Sequence, residues 1–264
     1  MRLEIFRRAF SEQTAPLLKN WAIATGTVNL VLAGLGRFLL HPETPSEWQN
    51  SFTLLEQVTG LKTVAATPAG WFTASSFNLL LPLLLGFFSV GVGSRLIAWE
   101  EENGILGLLL SYPLSRSHIL IEKFAALLAG QTLLGTVVWI TLYVLGLAAG
   151  FHLPAAVLAL ACLNSSLLAL VFGAAAFTLG VVSGSVRKSR WITAATALAF
   201  YLLYRTPSFL PQASFLKYLS PFTYALPLSA ANNLVTGSPW VSLALIGVLL
   251  ALGWKVFESR DLDF

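Results

Sequence analysis

Residues 95–123 read RLIAWEEENGILGLLLSYPLSRSHILIEK, and the reading of this stretch decides the fold. It lies between two long apolar segments and is too short and too charged to be another membrane span. Glu100, Glu101 and Glu102 stand just before Asn103, which is placed as a helix N-cap, where negative charge complements the helix dipole. Ile105, Leu108, Leu109 and Tyr112 then recur at the spacing of one helical face. Beside them Gly104, Gly107 and Ser111 make a stripe of small residues open to close approach by another backbone. Pro113 has no N–H to donate and stops the helix, and Ser115 caps the next one. The pattern predicts a short amphipathic helix at the membrane surface, suited to a groove on a partner. An interfacial helix resting on lipid, or a tight connector, fits the same composition, but the triple acid disfavours contact with an anionic leaflet.

Composition makes the chain an integral membrane protein. Of 264 residues, 56% are hydrophobic and 11% charged, where soluble domains carry about a quarter charged. The net charge of +4 comes from basic residues scattered at span ends, a pattern of membrane topology and not of nucleic-acid binding. One cysteine, Cys162, excludes an intrachain disulfide framework.

Residues 1–20 place Leu3, Phe6 and Phe10 at helical spacing, which predicts an interfacial helix before a turn at Pro16. Spans of roughly 20 apolar residues follow at 21–40, 71–96, 119–150, 154–182, 191–204 and 240–257, the fifth being short. The expected fold is therefore all-α: a single transmembrane domain of six helices, an N-terminal interfacial helix and a short cytoplasmic coupling helix within 99–118. With both termini in the cytoplasm, twelve of the 16 Lys and Arg residues fall inside and only Arg37, Lys62, Arg205 and Lys217 outside. Residues 41–70 are expected to include a short surface helix. Residues 206–238, rich in proline and aromatics, are expected to dip partly into the outer leaflet under cover of protein.

No span holds Asp or Glu in its central part, which disfavours an ion-coupled carrier. His41, His118 and His152 never pair at metal-ligand spacing, and no Walker sequence occurs. No catalytic constellation is present, so a membrane enzyme is the weaker alternative. The spans do carry uncharged polar residues. Asn29, Asn78 and Tyr201 are the candidates for a substrate path, each equally able to serve helix packing. Pro82 is expected to free the carbonyl of Asn78 and kink the second span. Gly146-x-x-x-Gly150 and Gly180-x-x-x-Gly184 match a helix-packing spacing.

Taken together, the chain resembles the permease subunits of type V ABC exporters, the ABC-2-type membrane proteins. The resemblance rests on the acidic run, glycine and apolar turn followed by Pro113-Leu114-Ser115-Arg116, on residues 179–183 with Arg187-Lys188-Ser189-Arg190, on Leu219-Ser220-Pro221-Phe222-Thr223-Tyr224, and on the tail Phe257-Glu258-Ser259-Arg260-Asp261-Leu262. Ile105 and Gly107 stand where many members have threonine and an acid. The resemblance implies coupling of residues Glu100, Glu101, Glu102, Gly104, Gly107, Leu108, Leu109, Tyr112, Pro113 and Arg116 to a separate ATP-binding-cassette ATPase. It implies ATP and Mg in that partner and none in this chain, a second permease copy, and alternating access in the lipid of the cytoplasmic membrane. Export of a small molecule, lipid or peptide is the expected activity.

Overall fold

The computed structural model describes residues 4–39, 72–73, 75–110, 115–151, 153–209, 211–225, 228–229, 234–235 and 238–260. The surface helix expected within 41–70 lies outside the described residues, as do Tyr112, Pro113 and the side chain of Leu108. Among the described residues the chain is helical apart from turns and a two-residue antiparallel ladder, Leu228–Ser229 with Leu234–Val235.

Helices α1 (Glu4–Arg8) and α2 (Ala15–Leu39) are joined by a π-helical segment, Ala9–Thr14, without the reversal expected at Pro16. Pro16 cannot donate to the carbonyl four residues back, and its ring crowds that carbonyl. The helix passes through the defect by widening: Ala15 N–H donates to Phe10 O, one residue further back than in an α-helix. The same device precedes Pro82. Ser76–Leu80 is π-helical, Leu81 N–H donates to Ser76 O, and α3 (Leu81–Gly93) continues. The defect expected at Asn78 thus takes the form of a π turn.

The N-terminal run lies along α6 (Arg116–Ala148). Phe6 N–H donates to Glu122 Oε2 at 2.9 Å, Thr14 packs where a Cβ at Gly130 would stand, and Asn29 Nδ2 donates to Thr141 Oγ1 at 3.1 Å. The partner numbers rise together, so the two helices are parallel. Residues 4–14 therefore form the first turns of a helix packed on α6, with Ala9 and Thr14 buried and Phe6 and Phe10 partly buried against the core.

Between α3 and α6 lie two short helices, α4 (Ala98–Glu102) and α5 (Ile105–Leu110). After α6 come α7 (Ala155–Ser183), α8 (Val186–Phe209), a 3-10 run (Pro211–Leu219), the single turn α9 (Pro221–Ala225) and α10 (Pro239–Ser259). Helix α7 is the axis of the bundle and packs against α3, α6, α8 and α10. Small residues allow this. A Cβ on Gly93 would overlap the carbonyl of Gly173, one on Gly173 would overlap Ser89 Oγ, and one on Gly135 would overlap Ser166 Oγ. Within lipid, close contact and hydrogen bonds replace the hydrophobic drive between helices. Gly150 and Gly184, expected as packing glycines, instead end helices with φ of +82° and +59°.

Helices α6, α7 and α10 are long and apolar enough to cross a membrane. Helices α2 and α8, of 25 and 24 residues, have the length but more polar composition, and α8 extends well beyond the expected 191–204. Ser115 and Pro239 open α6 and α10 as expected, with Ser115 Oγ accepting from His118 N–H.

Replacing Gly173 by leucine overpacks the α3–α7 contact and should remove about 1–3 kcal/mol of stability. Thermal unfolding of the purified full chain in detergent should register the loss. Gly34→Leu, where nothing lies within 4 Å of the added carbon, should leave the transition in place.

Candidate functional site

Ala98 to Glu102 form helix α4, so the acids lie inside a helix and Asn103 follows its end. Asn103 N–H and Nδ2 both donate to Trp99 O, at 3.1 and 2.6 Å, and Gly104 N–H donates to Glu101 O at 3.0 Å. Gly104 takes φ +69° with open space around it, so glycine is required there for backbone conformation. Asn103 is therefore a C-cap and not the expected N-cap: a left-handed residue at 104 breaks the helix that the acids, favoured in a first turn, have already begun. The break also resets the phase of α5. Among its described side chains Leu106 is buried, whereas Ile105, Gly107 and Leu109 of the expected stripes are half-buried.

Consecutive residues on a helix project about 100° apart, so three adjacent glutamates reach three different neighbours. Glu100 is buried and accepts from Lys123 Nζ on α6, which also donates to Leu96 O at 2.6 Å. Lys123 is itself wholly buried. Glu101 takes both ends of the Arg260 guanidinium, at 2.6 and 3.1 Å, and Arg260 Nη1 also donates to Val181 O in the last turn of α7 at 2.6 Å. The Glu101 carboxylate fills the space that a Cβ on Gly184 would need. Glu102 Oε1 accepts the N–H of Val186, the first residue of α8, at 2.9 Å.

Arg116 continues the pattern. Its Nη1 donates to the carbonyls of Phe257 and Arg260 at 3.0 and 2.7 Å, where α10 ends. Cations therefore sit at the C-termini of α7 and α10 and an anion at the N-terminus of α8, each the sign that the helix dipole favours. Ser117 Oγ and Trp254 Nε1 both donate to Glu258 Oε1, and His118 and Phe6 N–H both meet Glu122. One end of the bundle is thus a polar clasp centred on α4. Of the sequence-derived coupling residues it gathers Glu100, Glu101, Glu102 and Arg116. It also gathers Lys123, Arg260, Val186 and Gly184, none of them among the coupling residues that the sequence marks. The basic charge of Lys123 and Arg260, which the sequence assigns to topology, is the signal that points to them.

The candidate path residues do not converge. Asn29 is buried against α6 on Thr141, and Asn78 is half-buried in the π turn. Tyr201 lines a cavity of about 280 Å³ between α3 and α8, together with Pro82, Phe87, Phe172 and Phe222. Helix α2 is not among its walls. The cavity's position follows from residues 219–224. Ser220 Oγ donates to Phe200 O at 2.8 Å and accepts from Phe222 N–H at 3.3 Å, while Pro221 starts α9. This clamp drives Phe222 between Phe172, Tyr201 and Tyr204, at ring-centroid distances of 5.5, 5.6 and 6.3 Å. The Tyr201 hydroxyl is buried with no hydrogen-bond partner among the described residues, in an otherwise apolar wall.

A protein-family model described as "ABC-2 family transporter protein" matches residues 17–262, which take in both the clasp and the cavity. No curated protein matches the chain.

Removing one member of the buried pair leaves the other charge uncompensated. Lys123→Met or Glu100→Gln alone should each cost about 3–5 kcal/mol, and the double variant should recover a large part of it. Unfolding midpoints of the three variants in detergent measure the coupling. Arg8→Ala, which removes the exposed Arg8–Glu12 pair, should leave the midpoint unchanged.

Proposed function

The chain belongs to the ABC-2 family of transporter membrane proteins, and on that premise we propose that it is the permease subunit of an ATP-driven exporter. It works as a pair of identical copies with a separate ATP-binding-cassette ATPase, which holds ATP and Mg. Six helices cross the cytoplasmic membrane, both termini face the cytoplasm, and the cargo is a small molecule, lipid or peptide.

The observation that supports this reading most is the three-way attachment of α4 to α6, to α8, and to the joined ends of α7 and α10. ATP acts in another subunit, so its effect must enter through a contact whose energy differs between two states. Helix α5, presenting half-buried Gly107 and Leu109, is the contact. Helix α4 is the lever: a push on α5 reaches it across the Gly104 turn and is passed through three carboxylates to the spans. Moving the spans from 1:99 to 99:1 takes about 5.5 kcal/mol of differential binding. The aromatic cavity at Tyr201 is a wall of the cargo path, opened or closed as α8 moves relative to α3.

Co-expression with the ATPase tests this division of labour. Gly107→Leu and Leu109→Glu should reduce co-purification of the ATPase about tenfold or more, with membrane expression preserved. Arg260→Gln should keep co-purification and lower cargo-stimulated ATP turnover. Tyr201→Phe, which retains the ring, should lower cargo stimulation a few-fold while basal turnover stays constant. Normal turnover in all four variants would refute the reading.

Topology is tested separately in a Cys162→Ala background. Lys188 is exposed beside the start of α8, and Lys188→Cys should react with an impermeant thiol reagent only from the cytoplasmic side. Reaction from outside alone would overturn the six-span arrangement.

A further inference from the structure

A second cavity, of about 200 Å³, lies between α6 and α7, away from both the clasp and the aromatic wall. Gln131 and Ser166 line it, and both are more than nine-tenths buried. Gln131 Nε2, Gln131 Oε1 and Ser166 Oγ have no hydrogen-bond partner among the described residues. Of the other polar side chains on the walls, Thr132 and Thr136 bond carbonyls of their own helix, Trp139 Nε1 donates to Ala155 O at 3.1 Å, and Cys162 adds a weakly polar free thiol. Gln131 lies fifteen residues into the 33-residue α6, roughly 22 Å along its axis and so at mid-membrane depth.

A carboxamide with both donor and acceptor unsatisfied is costly in hydrocarbon. The space beside it holds a small group but not another helix. The mouth is flanked by Leu128 and Leu163, 45% and 51% exposed, so access is from the lipid side. The walls carry no charge, and a charged ligand would have to cross hydrocarbon to reach them.

We propose that this cavity is a binding site, entered from the bilayer, for a small uncharged lipophilic molecule carrying an amide or an equivalent adjacent donor and acceptor. The Gln131 carboxamide pairs with the ligand's amide in a two-point contact, and Ser166 Oγ supplies the third hydrogen bond. Leu128, Leu163 and Leu170 hold the apolar body. The site stands on the geometry of α6 and α7 and is independent of the exporter reading.

The test uses the full chain in phosphatidylcholine nanodiscs with octanamide as probe and methyl octanoate, which accepts but does not donate, as its match. Thermal unfolding is followed by intrinsic tryptophan fluorescence, since ligand bound to the folded state raises the midpoint. Octanamide should raise the midpoint saturably, and methyl octanoate should not do so equally. The apparent octanamide affinity should fall about tenfold or more in Gln131→Leu and a few-fold in Ser166→Ala. Should Gln131→Leu fail to fold, Ser166→Ala decides. Equal shifts with both probes would reduce the cavity to a lipid-tail groove, and no shift would reduce it to a water pocket. Either result, or an undiminished octanamide effect in the variants, overturns the proposal.

Discussion

The Lys123 ammonium is buried in the first turns of a long apolar helix, and a buried charge is stable only with a partner and satisfied hydrogen bonds. Glu100 and the Leu96 carbonyl meet that requirement, and the rest of the polar end follows. Once Glu100 is held against α6, the rotation of α4 is set. Glu101 and Glu102 then point toward α10 and α8, where a guanidinium and an unpaired helix N-terminus await them. A short helix that would be marginal alone is thereby held from three sides. In the proposed coupling, this three-sided hold is what passes a displacement at α5 on to the spans.

The span region solves a different problem. With lipid outside and side chains inside equally apolar, burial does little to draw helices together, and contact quality decides. Hence α7, the most enclosed of the three long apolar helices, carries Gly173 at its contact with Gly93 and Ser89, and Ser166 against Gly135. Pro16 and Pro82 are absorbed by π turns ahead of them, which keeps the backbone bonded where an open carbonyl would be costly, while Pro207 lies inside α8. The aromatic cavity and the Gln131 cavity are two of the places where this close packing is relaxed, one between α3 and α8, the other between α6 and α7.

Much of this was legible in the residues. Apolar runs identified the long helices, and Ser115 and Pro239 marked two of their starts. The acidic stretch stood out as a charged connector between apolar runs, and its three glutamates anchor α4 to its neighbours. The tyrosine at 201 was singled out as a polar group in an apolar segment, and it does line a cavity. Asn29 carried the same signal, and its Nδ2 bonds Thr141 on α6 while its Oδ1 has no hydrogen-bond partner among the described residues.

Chain chemistry by itself determined the helical class, the membrane solvent and the location of the charged connector, since hydropathy, proline and charge act over a few residues. Tertiary structure alone decided which way each glutamate points. That choice depends on the rotation of α4, set by the Glu100–Lys123 contact, and on partners at Val186 and Arg260, up to 159 residues away. It also decided that Gly184 ends a helix while Gly173 packs one, because a glycine's role follows from the atoms that arrive beside it.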